Sequence, residues 1–263
     1  MKKIILLICA SMLIFSCSNS SNEPNASSQQ AGNLISRLET TSNGSTQKNY
    51  YTYNGNKILK IVSNGAREIR FTYNGNFISK QETFENNFLT TTITYSYENG
   101  KLKSVYQTNA EPNEANNYKQ VFVHNVDGSI NFTNFSYQSP NTEIVDGTGK
   151  YTFVNGNRTK VEFNNVTTSS VSTYTYDSKN NGYRNILGYD KLIFIEGSMP
   201  NNFQTLNFQY TNIENNMLSS SSEVINTYIY NANNYPISEV RVATGIYTNS
   251  PPTVTTRTTN YFY

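Results

Sequence analysis

The chain has no tryptophan, one histidine and two cysteines, and neither cysteine lies beyond residue 17. Past Cys17 there is no thiol from which to build a disulfide, a redox couple or a cysteine metal site. The lone imidazole, His124, falls short of the His and Cys set that zinc requires. A Ser or Cys nucleophile needs a base within reach, and no Gly-x-Ser-x-Gly elbow exists for His124 to serve. His124 closes the run Val121-Phe122-Val123-His124 and reads as a strand-end residue. No Gly-x-x-x-x-Gly-Lys-Ser/Thr phosphate loop occurs. The stretch from Asp177 to Gly182 resembles a calcium loop only at first sight, because its third position is Lys179 and its twelfth is Gly188, where carboxylates are needed. The acidic residues are scattered, so no catalytic carboxylate pair stands out. These absences argue for a non-enzymatic chain without metal or cofactor.

Charge is sparse as well. Removing Lys2 and Lys3 from the 20 basic residues leaves 18 against 18 acidic ones. A neutral chain with mixed charges lacks the basic stripe of a nucleic-acid binder. Long apolar runs are missing except at the N-terminus, where Met1-Lys2-Lys3 precedes an apolar stretch from Ile4 to Phe15. That stretch is too short to span a bilayer, which takes roughly 20 residues, and reads as a signal peptide over 1–16. Leu13-Ile14-Phe15-Ser16-Cys17 resembles a bacterial lipobox, making Cys17 the lipidation site. Residues 17–33 are rich in Ser, Asn and Gln, a flexible tether reaching roughly 20 Å.

Aromatic doublets are what the chain has in abundance. Tyr51/Tyr53, Phe71/Tyr73, Tyr95/Tyr97, Tyr151/Phe153, Tyr174/Tyr176, Phe208/Tyr210, Tyr228/Tyr230 and Tyr261/Tyr263 recur along residues 34–263, with an aliphatic variant at Val121/Val123. Their neighbours alternate: Ile69, Phe71 and Tyr73 share one face, Glu68, Arg70 and Thr72 the other. This period of two marks strands with one buried and one wet face. Asn-Gly pairs at 54–55, 74–75, 99–100 and 155–156 supply the positive φ of tight hairpins. Each repeat is then one hairpin, and successive hairpins form an antiparallel meander glued by stacked aromatic faces.

Tyr51-Thr52-Tyr53-Asn54-Gly55-Asn56-Lys57-Ile58, Tyr95-Ser96-Tyr97-Glu98-Asn99-Gly100-Lys101-Leu102 and Tyr174-Thr175-Tyr176-Asp177 resemble the YD repeat of the RHS-like class. With the lipobox and the Asn-rich turns, the chain resembles YD-repeat lipoproteins of Bacteroidota-type bacteria. The Asp of the Tyr-x-Tyr-Asp core survives only at Asp177. The resemblance implies an all-β fold, an elongated, curved or partly wrapped sheet, with about nine doublets too few to close into a container.

The long interruption between Asn180 and Phe203 reads as a short strand and loop covering one side of the sheet. Alternatively it forms a binding lip presenting Tyr183, Tyr189 and Phe203. The composition points to a protein of the cell envelope, held at the outer membrane by lipid on Cys17 and docking an unknown protein or cell-surface polymer. The alternative is a glycan-binding accessory of polysaccharide uptake, to which the lack of Trp is a counterargument. Replacing Cys17 by Ser is expected to abolish palmitate labelling and move the chain from the membrane pellet to the soluble fraction; undiminished pelleting would show that another element holds it.

Overall fold

The computed structural model describes residues 33–263 apart from 65, 111–116, 139–141, 213–216 and 249; the signal peptide, the tether's first residues and Cys17 lie outside the described residues. Sixteen antiparallel strands form one closed barrel in which each strand pairs with its sequence neighbours. They are β1 (Arg37–Ser42), β2 (Ser45–Asn54), β3 (Lys57–Ser63), β4 (Arg67–Asn74), β5 (Phe77–Glu85), β6 (Phe88–Glu98), β7 (Lys101–Asn109) and β8 (Tyr118–His124). The circuit continues with β9 (Ile130–Gln138), β10 (Thr142–Val154), β11 (Asn157–Asn164), β12 (Thr168–Asn180), β13 (Asn201–Asn212), β14 (Met217–Tyr230), β15 (Pro236–Tyr247) and β16 (Thr253–Phe262). The hairpin meander expected from the doublets is present. The open, elongated sheet is corrected: β1 pairs with β16 from Arg37↔Phe262 to Ser42↔Arg257, so the edges of the first and last strands satisfy each other and no edge is left to manage.

Tight turns set the strand pairs. Asn43-Gly44, Asn99-Gly100 and Asn155-Gly156 all carry positive φ at both residues, the conformation whose twist matches a two-residue hairpin. At Asn54-Gly55 and Asn74-Gly75 only the glycine is left-handed. The pairing shifts by one residue beside the Asn54-Gly55, Asn74-Gly75 and Asn99-Gly100 turns, between Thr52 and Tyr53, Thr72 and Tyr73, and Ser96 and Tyr97. Each such bulge bends the outgoing strand.

We call the end of the barrel that carries the Asn54-Gly55, Asn74-Gly75, Asn99-Gly100 and Asn155-Gly156 turns the foot; Asn43-Gly44, between β1 and β2, lies at the opposite end. At the foot, strand pairs part company in a repeated way. The β5–β6 ladder ends at Lys80↔Thr94, and below it the Tyr97 hydroxyl donates to the Ile78 carbonyl at 2.8 Å. The β1–β2 ladder ends at Arg37↔Tyr50, and Tyr53 donates to the Ile35 carbonyl at 2.8 Å. The β11–β12 ladder ends at Lys160↔Thr173, and Tyr176 donates to the Arg158 carbonyl at 2.9 Å. Tyr228 reaches the Phe203 carbonyl and Tyr263 the Pro236 carbonyl in the same relation. In β3–β4 the polarity reverses, Tyr73 accepting from the Ile58 N–H at 3.1 Å.

In β7–β8 the bridging residue is His124, whose Nε2 lies 2.8 Å from the Leu102 carbonyl and must therefore carry the proton. The sole histidine does a tyrosine's work. The inward doublet of β8 is accordingly Phe122 with His124; Val121 and Val123 lie on the opposite face, correcting the aliphatic variant by one register step. Only β9–β10 lacks a bridge. Its ladder runs down to Ile130↔Tyr151, and the second member of its doublet is Phe153, which has no hydroxyl.

The inward aromatics and aliphatics form the core: Ile58, Ile78, Leu102, Phe122, Phe132 and Tyr151 are buried, with Tyr51, Tyr53, Phe71, Tyr73 and Tyr97 packed against them. The outer wall is polar. Ion pairs cross it at Glu39–Lys48, Lys60–Glu68, Lys80–Glu82, Lys119–Glu143 and Lys160–Glu162, and Arg70 covers Phe84 at 4.1 Å. Exposed apolar residues include Ile225, Ile229 and Val240 over β14–β15 and Tyr50, Leu89 and Val123 elsewhere on the wall.

A buried carbonyl that loses its donor forfeits about 1–3 kcal/mol. Tyr97→Phe is expected to lower the unfolding free energy by that amount in urea titration. Tyr50→Phe, on the outer wall, is expected to change it by less than ~0.5 kcal/mol; equal effects would refute the bridging role.

Candidate functional site

Residues 181–200, between β12 and β13, cross the foot of the barrel from inside. They contain two short 3-10 turns, Tyr189–Lys191 and Glu196–Ser198; the expected short strand is absent, and the segment closes an end where a cover on one side was expected. The splayed strand ends receive it. Leu187 donates its N–H to the Asn56 carbonyl and accepts from the Tyr73 hydroxyl. Gly188 has φ +72°, and a Cβ there would fall 2.5 Å from the Asn76 carbonyl oxygen, so glycine is required. Across the ring, Phe194 packs against Tyr95 and Phe122 with centroids at 6.3 and 6.4 Å.

Arg158 anchors the opposite side. It is 4% exposed, occupies the place that Ile58, Ile78 and Leu102 hold in their strands, and donates to the Ile193 and Phe194 carbonyls at 3.2 and 2.9 Å. The faces of Tyr151 and Tyr174 lie 5.2 and 5.3 Å from its guanidinium carbon. Carbonyl dipoles and two π faces thus hold a buried cation.

Tyr183, Tyr189 and Phe203 belong to this assembly. Tyr183 stacks on Tyr189 at 5.3 Å and 17°, its hydroxyl lies 3.4 Å from that of Tyr51, and Phe203 is buried at the start of β13. All three sit inside the barrel, so an outward-projecting lip is not what the segment forms. Asp177 takes a local structural role, accepting from the Lys179 and Asn202 N–H groups and from the Tyr230 hydroxyl.

Above the aromatic layer the inner wall turns polar. Asn49 accepts from Ser63 at 2.6 Å, and Gln120 donates to Asn134 at 2.8 Å. On the β13–β16, β1 and β2 side a cleft of ≈ 280 Å³ opens between the insert and the wall. Its lining includes Tyr183, Tyr228 and Tyr261 with Asn49, Asn202, Glu196, Glu239, Arg241 and Arg257. Glu239 accepts from Tyr261 at 2.7 Å. The cleft charges were missed in the sequence, where Val240 and Val242 suggest the buried parity of β15. Counting back by twos from Tyr261 and Tyr263 puts Thr259 and Arg257 on the tyrosine face, and their partners Glu239 and Arg241 follow.

Burial raises the pKa of the inner tyrosines. Tyr73 is pushed up to about 12 from its ordinary 10.0 by desolvation, which outweighs the opposing hydrogen bond from Ile58. Tyr183 and Tyr261 are held well above the ordinary value, by burial first; the charges of Tyr51 and of Glu239, respectively, come next among the causes.

The barrel is similar to two solved structures. A porin-like protein from Bacteroides vulgatus is 14% identical with a TM-score of 0.54, the alignment covering 88% of this chain and 98% of that one. A porin-like protein from Bacteroides uniformis is 14% identical with a TM-score of 0.52, covering 87% and 97%. No protein-family model and no curated protein matches the chain. At this identity the likeness is one of fold. It overturns the YD-repeat, RHS-like resemblance: the doublets are the inward rows of a closed barrel whose neighbours are porin-like, and the Tyr-x-Tyr spacing reports strand period and foot bridging.

Unfolded tyrosines ionise near 10 while these remain protonated, so between those values the unfolded chain binds fewer protons. Stability is then complete below pH 10 and falls as pH rises through 12. Phenolate absorbance and strand circular dichroism are expected to change together, in one cooperative step above pH 10; a smooth titration with the strand signal intact would place the rings in water.

Proposed function

We propose that this chain is a non-enzymatic outer-membrane protein, attached by lipid on Cys17, whose barrel stands in water as a cup that binds a protein or cell-surface polymer. The observation that carries the reading is the inversion of the two wall surfaces. A barrel that crosses a bilayer needs an apolar outer band about 25 Å tall around its whole circumference, and each Lys or Arg facing lipid at the midplane costs about 2–4 kcal/mol. Here Lys60, Glu68, Arg70, Lys80 and Glu82 occupy the middle of the outer wall, while the tyrosines and isoleucines face inward.

The second support is the insert. A pore needs a continuous lumen, and residues 181–200 cross the foot with contacts to Tyr51, Tyr73, Tyr95, Phe122 and Arg158. A cup closed at its foot can hold a ligand but conducts poorly. The alternative, an accessory of polysaccharide uptake, is favoured by the lumen's Asn, Gln and Tyr lining, since amide groups and ring faces suit sugar hydroxyls and C–H surfaces.

The chain carrying Cys17→Ser is expected to remain monodisperse without detergent and to give no conductance in planar bilayers. A requirement for detergent, or discrete channel openings, would overturn the reading.

A further inference from the structure

We infer that the cleft between the insert and β15–β16 is a binding site for a saccharide bearing a carboxylate. The proposal deepens the glycan reading and rests on the barrel being a water-filled cup. Its basis is a pair of arginines. Arg241 and Arg257 are direct cross-strand partners on the inward face, and like charges directly opposite one another destabilise a sheet. The equivalent inward pair one step toward the foot, Glu239 with Thr259, carries no such repulsion, and Arg241 itself lies over the Phe203 ring at 5.4 Å.

The neighbouring acids compensate the arginines only loosely. Glu196 lies 3.9 Å from Arg241 and Glu239 lies 3.7 Å from Arg257, both beyond hydrogen-bond length. The Nε of Arg257 is buried and has no hydrogen-bond partner. Yet the side chains of Arg241 and Arg257 remain 23% and 41% exposed, so both forks stay reachable from the lumen. Two adjacent guanidinium groups with partly exposed forks match a carboxylate, which accepts two parallel N–H bonds from such a fork.

The rest of the lining decides between anions. Glu196 and Glu239 stand beside the arginines, so the compact double charge of phosphate would meet repulsion that a sugar carboxylate, with one charge per ring, largely avoids. Tyr183 and Tyr228 present ring surface, and Asn49 presents an amide, within the same cleft. An apolar carboxylate would leave these polar groups desolvated and unpaired, whereas a sugar ring offers hydroxyls for the amide and a C–H face for the rings.

Isothermal titration of the Cys17→Ser chain with trigalacturonate, its methyl ester and inorganic phosphate tests the assignment. Trigalacturonate is expected to bind at least about tenfold more tightly than either. Arg257→Gln and, separately, Arg241→Gln are expected to remove about that tenfold preference with the strand spectrum unchanged, and Arg70→Gln on the outer wall to leave it intact. Equal binding of the ester or of phosphate, full affinity in both cleft variants, or no binding of trigalacturonate by the folded chain would overturn the proposal. That last result would leave the envelope reading standing, because solubility and conductance test that reading separately.

Discussion

The structure depends on a side chain taking over where the backbone ladder stops. At the foot, neighbouring strands splay, and a buried peptide group would be stranded without a partner, a loss of about 1–3 kcal/mol at each place. Tyrosine answers this because one residue supplies a large apolar ring and a terminal hydroxyl. Tyr53, Tyr73, Tyr97, Tyr176, Tyr228 and Tyr263 each bridge such a gap, and His124 does so in β8. The splay has a use. It opens room for residues 181–200, which Tyr73 and Arg158 grip through the carbonyls of Leu187, Ile193 and Phe194.

Closure follows from the same geometry repeated around the ring. Hairpins that individually could not bury enough surface to be stable share one interior, and the insert fills its lower half. The upper half stays polar and reachable. The outer wall carries Lys, Glu, Thr and Ser ladders, the surface that the proposed water-standing cup requires, and which face of each strand carries the rings sets that surface without changing the fold.

Much of this was legible in the residues. The doublets gave the strands and the inward face, the Asn-Gly pairs gave the turns, and the aromatic glue between hairpins is present. Closure was not legible, because the pairing of Leu38 with Tyr261 joins the two ends of the domain, and no local pattern announces that contact. The Val121/Val123 reading failed because a β-branched alternation looks the same on either face; the burial of Phe122 and the bond from His124 to the Leu102 carbonyl fix the parity. Arg241 and Arg257 escaped notice for the same reason, since Val240 and Val242 give β15 an apolar face that points outward. The insert defeated pattern reading altogether: its apolar run Leu192-Ile193-Phe194-Ile195 resembles a strand, yet its partners are side chains from around the whole ring.

The central claim is that the tyrosine rows face inward around a ring closed by β1 and β16. Thr40 and Thr259 sit opposite each other on the inner face of that seam, their hydroxyls 3.4 Å apart although 219 residues separate them in sequence. Cysteines placed at both positions in the Cys17→Ser chain lie within the Cα range of a disulfide. Mild oxidation followed by non-reducing electrophoresis is the direct measurement. The expected result is a fast-migrating, intramolecularly linked monomer in nearly all of the folded chain. Free thiols, or links only between molecules, would mean that the sheet is open and the account wrong.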